Sequence, residues 1–297
     1  MKRIFLFVAV VTLLVSCGRK SSTSAYVMTD DNDVDVIESE FEVSGDDTAA
    51  TIALTSTGVE ETKEVEVAQP YSKIKASGAW KVMMSKSVEK PTIIADKSLM
   101  PYLTLHIKGD RLIASFSKSI YYRGKAKCTP TLKIPADCDL KGICLSGAAQ
   151  FTSSDPLCGD SLEIDLEGAS KAEIDASGIV KYIDMELAGA CKVMLKCEVE
   201  QLDVELDGAT KLGLIGKTTL LNVDMAGACK VNCEKDKRKF KFESDIANIE
   251  MAGASKIDLH CNNQLNIEAA GTGSVRYTGN PQVSQNISGV VSVKRVR

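Results

Sequence analysis

The stretch "ELAGACKVML", from Glu186 to Leu195, returns as "DMAGACKVNC" from Asp224 to Cys233, with "ELDGATKLGL" from Glu205 to Leu214 between them. Few folds accept one decapeptide at a fixed interval, because a globular core offers a different environment at each position. Aligned on glycine, the series has eight units, at Gly147, Gly168, Gly189, Gly208, Gly227, Gly253, Gly271 and Gly289, spaced 21, 21, 19, 19, 26, 18 and 18 residues apart. A sustained period of this size signals a solenoid, in which each repeat buries its apolar face only against its neighbours.

The residues within a unit say which solenoid. Ahead of the glycine, apolar and polar residues alternate, as in Leu162, Ile164 and Leu166, then Ile183, Met185 and Leu187, then Leu202, Val204 and Leu206. That is a strand with one buried face. After the glycine the alternation resumes through Cys191, Val193 and Leu195, and the glycine marks a bend needing positive φ or close stacking. The Leu/Asn spacing and helical stretch of a leucine-rich repeat are missing. The expected fold is therefore all-β, a right-handed parallel β-helix-like solenoid, with rungs ~4.8 Å apart and each repeat position drawn out into a column.

Three columns bear on function. Lys171, Lys192, Lys211, Lys230 and Lys256 stand three residues after their glycines and point outward. Asp165, Glu186, Glu205, Asp224, Glu250 and Glu268 stand three before, also outward. Both are candidate surface columns; the plain expectation is a pair of solvated faces that resist sideways aggregation. Carboxylates one rung apart repel by ~0.9 kcal/mol in bulk water, so lysines, counter-ions or a divalent cation must offset the acidic column. The third column, Ser170, Cys191, Thr210, Cys229 and Ser255, is small and inward. Cys191 and Cys229 are two rungs apart, ~9.6 Å, too far for a disulfide.

The ends read differently. Met1-Lys2-Arg3, the short apolar run Ile4 to Val15 and "LVSC" at Leu14 to Cys17 resemble a bacterial lipoprotein signal, which implies that Cys17 is the lipidated first residue of the mature chain. Residues 18–66 are rich in Ser, Thr, Asp and Glu and read as a flexible polar tether, with "TIALTSTGVEE" its one stretch able to form a strand. Residues 67–297 hold the folded domain, divided into a cap region, 67–135, and the repeat array, 136–297. Within the cap, "YLTLHIKGDRLIASF" is a β-hairpin around Lys108-Gly109-Asp110-Arg111, and "SKIKASGAWKVMMS" echoes the glycine unit at Gly78.

Nothing in the sequence marks a catalyst or a cofactor site. The only histidines, His106 and His260, follow no metal-ligand spacing, so no metal is expected, and no P-loop, dinucleotide or Gly-x-Ser-x-Gly fingerprint is present. A net charge of −4 gives no reason to bind nucleic acid, and aromatics at 5% leave few platforms for sugars or bases. Setting Cys17 aside, the ten cysteines leave an odd number. Cys138 and Cys158 lie nine and ten residues before Gly147 and Gly168, nearly one position on adjacent rungs, about 5 Å apart, which makes them a possible disulfide. Cys128 competes for Cys138, and a reduced pair is the alternative.

The run "YSKIKASGAWKVMM", "PYLTLHIKGDRLIASF", "LKIPADCDLKGICLSGAAQF", serial "GASK"-like units and "GTGSVRYTGNP" resembles the head GIN domain family of putative auto-transporter adhesins, over about Val67 to Arg297. The resemblance implies an envelope-exposed β-helical domain, often on a lipoprotein, with no catalytic residues to carry over. This chain departs from that pattern in its many cysteines and in "CNNQLNIEAAGTGS", where the lysine column stops. The expected protein is a non-catalytic structural or adhesive module of the bacterial cell envelope, an outer-membrane lipoprotein, with a membrane partner through its lipid and a glycan or protein ligand. The rivals are a β-helical polysaccharide lyase or hydrolase and a divalent-cation-dependent assembly protein.

Overall fold

The structure, a computed structural model, describes residues 51–296 apart from 68, 124–128, 137–139, 234, 237, 238 and 241. The described chain is all-β, with a mixed main sheet and no α-helix; a single 3₁₀ turn, Met100–Tyr102, holds Pro101 at its centre.

Successive repeats pair side by side in parallel. Gly168 stands opposite Gly189, Gly189 opposite Gly208, Gly208 opposite Gly227 and Gly227 opposite Gly253. Because the register offset equals the repeat length, each residue meets its counterpart in the next unit. The inward residues Leu162, Ile164, Leu166, Ile183, Met185 and Leu187 are all at most 2% exposed, and so are Leu202, Val204 and Leu206. Each such side chain contributes ~1.5–3 kcal/mol, and together they form one continuous core along the stack. The 26-residue interval is an insertion. Leu214 pairs with Cys233 but Gly216 pairs with Phe242, so a two-residue step on one side matches a nine-residue step on the other. Within the insertion Lys235–Asp236 pairs antiparallel with Lys239–Phe240, and the parallel register resumes at Phe242.

The array starts earlier than residue 136. Strands Lys73–Gly78 and Lys81–Ser85, inside the segment read as a cap, pair in parallel with Gly142–Gly147 and Gln150–Ser153, with Gly78 opposite Gly147. Beyond them lies a further parallel layer from later in the chain, Arg111–Phe116 beside Lys73–Gly78 and Thr131–Pro135 beside Lys81–Ser85. Stacking order thus departs from chain order, which is why the glycine period alone does not show the start.

Antiparallel pairing closes this end. Leu103–Lys108 folds back on Arg111–Phe116 through the two-residue turn at Gly109-Asp110, as the sequence predicts. Thr92–Asp96 pairs with both Thr131–Pro135 and Glu60–Glu64. The strands Ile52–Thr55 and Glu60–Glu64 fall within the stretch read as tether. Asp96 holds this segment down: it accepts from Ser56 Oγ at 2.8 Å, Thr57 Oγ1 at 2.9 Å, Gly58 N at 3.0 Å and Ser98 Oγ at 2.6 Å.

Candidate functional site

Both predicted charged columns exist as stacks of Cα partners. On the strands before the bend, Asp165, Glu186, Glu205, Asp224 and Glu250 are consecutive partners, and Glu268, next in the series, faces Asn286. On the strands after the bend, Lys171, Lys192, Lys211, Lys230 and Lys256 are consecutive partners, and all five are exposed. At Gly271 and Gly289 the lysine position is taken by Ser274 and Ser292, while Arg276 pairs with the carboxylate of the largely buried Asp258. The inward column is also as expected: Ser170, Cys191, Thr210, Cys229 and Ser255 are all at most 2% exposed. Their hydroxyls and thiols stay within the fold, Ser170 Oγ donating to Glu167 O at 2.8 Å and Cys191 Sγ to Ala188 O at 3.3 Å.

Two residues nearer the N-terminus runs a further outward column, Glu163, Asp184, Asp203, Asn222 and Asn248, continued by Asn266. Here the side chains bond along the stack. Asn266 Nδ2 donates to Asn248 Oδ1 at 2.7 Å, Asn248 Nδ2 to Asn222 Oδ1 at 2.8 Å and Asn222 Nδ2 to Asp203 Oδ1 at 2.7 Å. Tyr182 Oη and Gln201 Nε2, each at 2.9 Å, also donate to Asp203 Oδ2, so the ladder ends on a carboxylate with its acceptors occupied. The sequence holds this signal in "LNV", "ANI" and "LNI" ahead of the acidic positions.

The acidic face is electrostatically loaded. Partial burial, then Glu205 and Asp165 one rung away on either side, raise the Glu186 carboxyl above its ordinary range. Burial and Asp224 do the same for Glu205, and burial and Asp203 for Asp184. Asp96 is the opposite case, held far below the ordinary range by the Ser98 hydroxyl and its other donors. A carboxyl raised in the folded state binds a proton that the unfolded chain has not yet taken up, so its cost to stability is relieved as pH falls through the folded value. One held low stabilises above the unfolded value and loses that contribution as pH falls. Stability should therefore rise on mild acidification from neutrality, then fall once Asp96 must be protonated. Glu205→Gln should raise the melting midpoint at pH 7 in dilute solution by about 1–2 °C, the effect of ~0.5 kcal/mol for half-exposed charges, and the gain should vanish near pH 4. An unchanged or lowered midpoint at pH 7 contradicts this.

Among the described residues, no three His, Cys, Asp or Glu side chains converge as a metal ligand set. The acidic column places one carboxylate on each rung. His260 spends both ring nitrogens on Thr278 Oγ1 at 2.8 Å and Asn262 Oδ1 at 2.9 Å, and His106 is exposed. The open depression lined by Glu198, Glu200, Lys217, Glu243, Asp245 and Asn262 has its one lysine paired with Glu198 at 3.3 Å. Cys17 and Cys138 lie outside the described residues; Cys158 opens the strand Cys158–Gly168 opposite Gly178.

Solved structures share this fold. A putative adhesin from Parabacteroides merdae superposes with a TM-score of 0.71 at 20% identity, covering 82% of this chain and 99% of that one. A putative lipid binding protein from Parabacteroides distasonis gives 0.70 at 19%, covering 83% and 100%. A putative adhesin from Bacteroides fragilis gives 0.58 at 16%, covering 82% and 100%. No match is found among curated proteins. Residues 70–281, most of the chain, match the family model described as "Putative auto-transporter adhesin, head GIN domain", and the chain belongs to that family.

Proposed function

We propose that this chain is a lipid-anchored module of the bacterial cell envelope, an outer-membrane lipoprotein whose right-handed parallel β-helix acts structurally or adhesively rather than catalytically. The observation that carries the reading is the surface itself: the outward positions repeat rung after rung as columns of one residue type, a design for extended contact. Enzymes on a rigid scaffold place their chemistry on long, individual loops that wall a cleft, whereas the glycine bends here are short and alike. Lipid enters this reading as a covalent anchor on Cys17, and a Cys138–Cys158 disulfide belongs to it as a clamp on the first rungs, suited to an oxidising compartment.

Cys17→Ser should move the protein from the membrane fraction to the soluble one; a variant that stays membrane-bound and lipid-labelled refutes the anchor. Purified protein should bind a surface glycan or protein without cleaving it. Unsaturated or newly reducing ends released from a polysaccharide panel would replace the adhesive reading with the lyase or hydrolase one. Recovery of Cys138 and Cys158 as free thiols from oxidatively folded protein would remove the disulfide.

A further inference from the structure

The two charged columns share the same five rungs. The units of Gly168, Gly189, Gly208, Gly227 and Gly253 each carry one acid three residues before the bend, Asp165, Glu186, Glu205, Asp224 or Glu250, and one lysine three residues after it. The bend between them is a low, exposed edge, as at Ala188-Gly189-Ala190, Ala226-Gly227-Ala228 and Ala252-Gly253-Ala254. No member of either column forms an ion pair with another described residue; the ion pairs among the described residues lie elsewhere. Ten charges are thus sorted by sign onto the two sides of one edge, with no ion-pair partner among the described residues.

We propose that two copies of this chain associate side by side along this edge, with their stacks parallel, so that the lysine column of each faces the carboxylate column of the other. A two-fold axis parallel to the stack exchanges the two sides of the edge while keeping rung order. It therefore sets lysine against acid on both flanks, and because both columns have the same rung spacing the match holds at every rung. A two-fold axis perpendicular to the stack reverses rung order but keeps the sides, setting acid against acid and lysine against lysine. The charge pattern thus selects one orientation, the small edge residues let the stacks approach, and Glu167 and Asp207 add to the acidic flank. The inference does not depend on the adhesive reading above.

The test uses the full chain carrying Cys17→Ser, so that lipid plays no part. Sedimentation should show a dimer at low salt whose dissociation constant rises at least tenfold at high salt, since exposed charges are screened. Lys192→Glu/Lys211→Glu/Lys230→Glu should be monomeric, as should Glu186→Lys/Glu205→Lys/Asp224→Lys. Mixed, the two variants should form a one-to-one dimer, and all six reversals in one chain should restore the homodimer, which also shows that the reversed chains fold. Ala169→Cys should cross-link to Ala169→Cys of the second copy. A wild-type monomer at low salt, dimers of either variant alone, or no association in the mixture overturns the proposal. A doubly substituted chain linked from position 169 to position 254 overturns the parallel orientation, and a monomer whose lysine column instead captures an acidic polysaccharide overturns the second copy as occupant.

Discussion

Gly208→Val should lower the melting midpoint by roughly 5–15 °C, the effect of about 2–4 kcal/mol in a domain of this size. Two strains add. Gly208 has φ +87°, which a β-branched residue adopts only at a cost. A Cβ there would also lie 2.6 Å from Gly189 O, a carbonyl already accepting from Ala209 N at 2.7 Å. The oxygen cannot retreat without breaking that bond, and moving the rung disturbs the next one too, because Gly208 O accepts from Ala228 N at 2.7 Å. Gly58 separates the two strains: its φ is +69° but nothing lies within 4 Å of a Cβ, so Gly58→Ala should cost only about 1 kcal/mol. Equal losses at the two positions would show that rung contact contributes nothing and that the bend is set by φ alone.

The same contact explains what was legible in the sequence. A glycine packed against the preceding glycine has to recur at every rung, and every residue phased to it recurs in its surroundings. The lysines from Lys171 to Lys256, the acids from Asp165 to Glu250 and the small inward column from Ser170 to Ser255 could be read by counting from the bend. The hairpin at Gly109-Asp110 was legible for a local reason, a two-residue turn between alternating strands.

Relations not carried by the period were hidden. Gly78 meets Gly147, 69 positions later in the sequence, because the chain leaves the stack to lay Arg111–Phe116 and Thr131–Pro135 outside it before returning. Glu60–Glu64 has a fully exposed pattern and no apolar alternation, so only its pairing with Thr92–Asp96 makes it a strand. The Asp203–Asn222–Asn248–Asn266 ladder was present in phase but changes from acid to amide midway, so charge alone did not single it out. That change has a physical reason. An amide both donates and accepts, so asparagines chain along the stack where carboxylates in the neighbouring column only repel.

The largest single effect at the closed end should come from Trp80, the only tryptophan in the chain. It sits two residues after Gly78, at the position filled by Ala149, Ser170 and Cys191 farther along, and is 0% exposed. There the small-residue column meets the end of the stack and one large ring closes it, its centroid 5.6 Å from that of Phe116. Trp80→Ala opens a cavity where the antiparallel strands must hold the end shut, and should cost about 3–5 kcal/mol. Phenylalanine should be tolerated better than the change in size suggests. Trp80 Nε1 is buried with no hydrogen-bond partner, so Trp80→Phe removes an unsatisfied donor, worth about 1–3 kcal/mol, against the packing it loses. Unfolding followed by circular dichroism, which needs no tryptophan signal, should rank wild type and Trp80→Phe close together and Trp80→Ala far below. If Trp80→Ala melts within 1 kcal/mol of wild type, the ring is not what closes the core, and the antiparallel strands alone must seal that end.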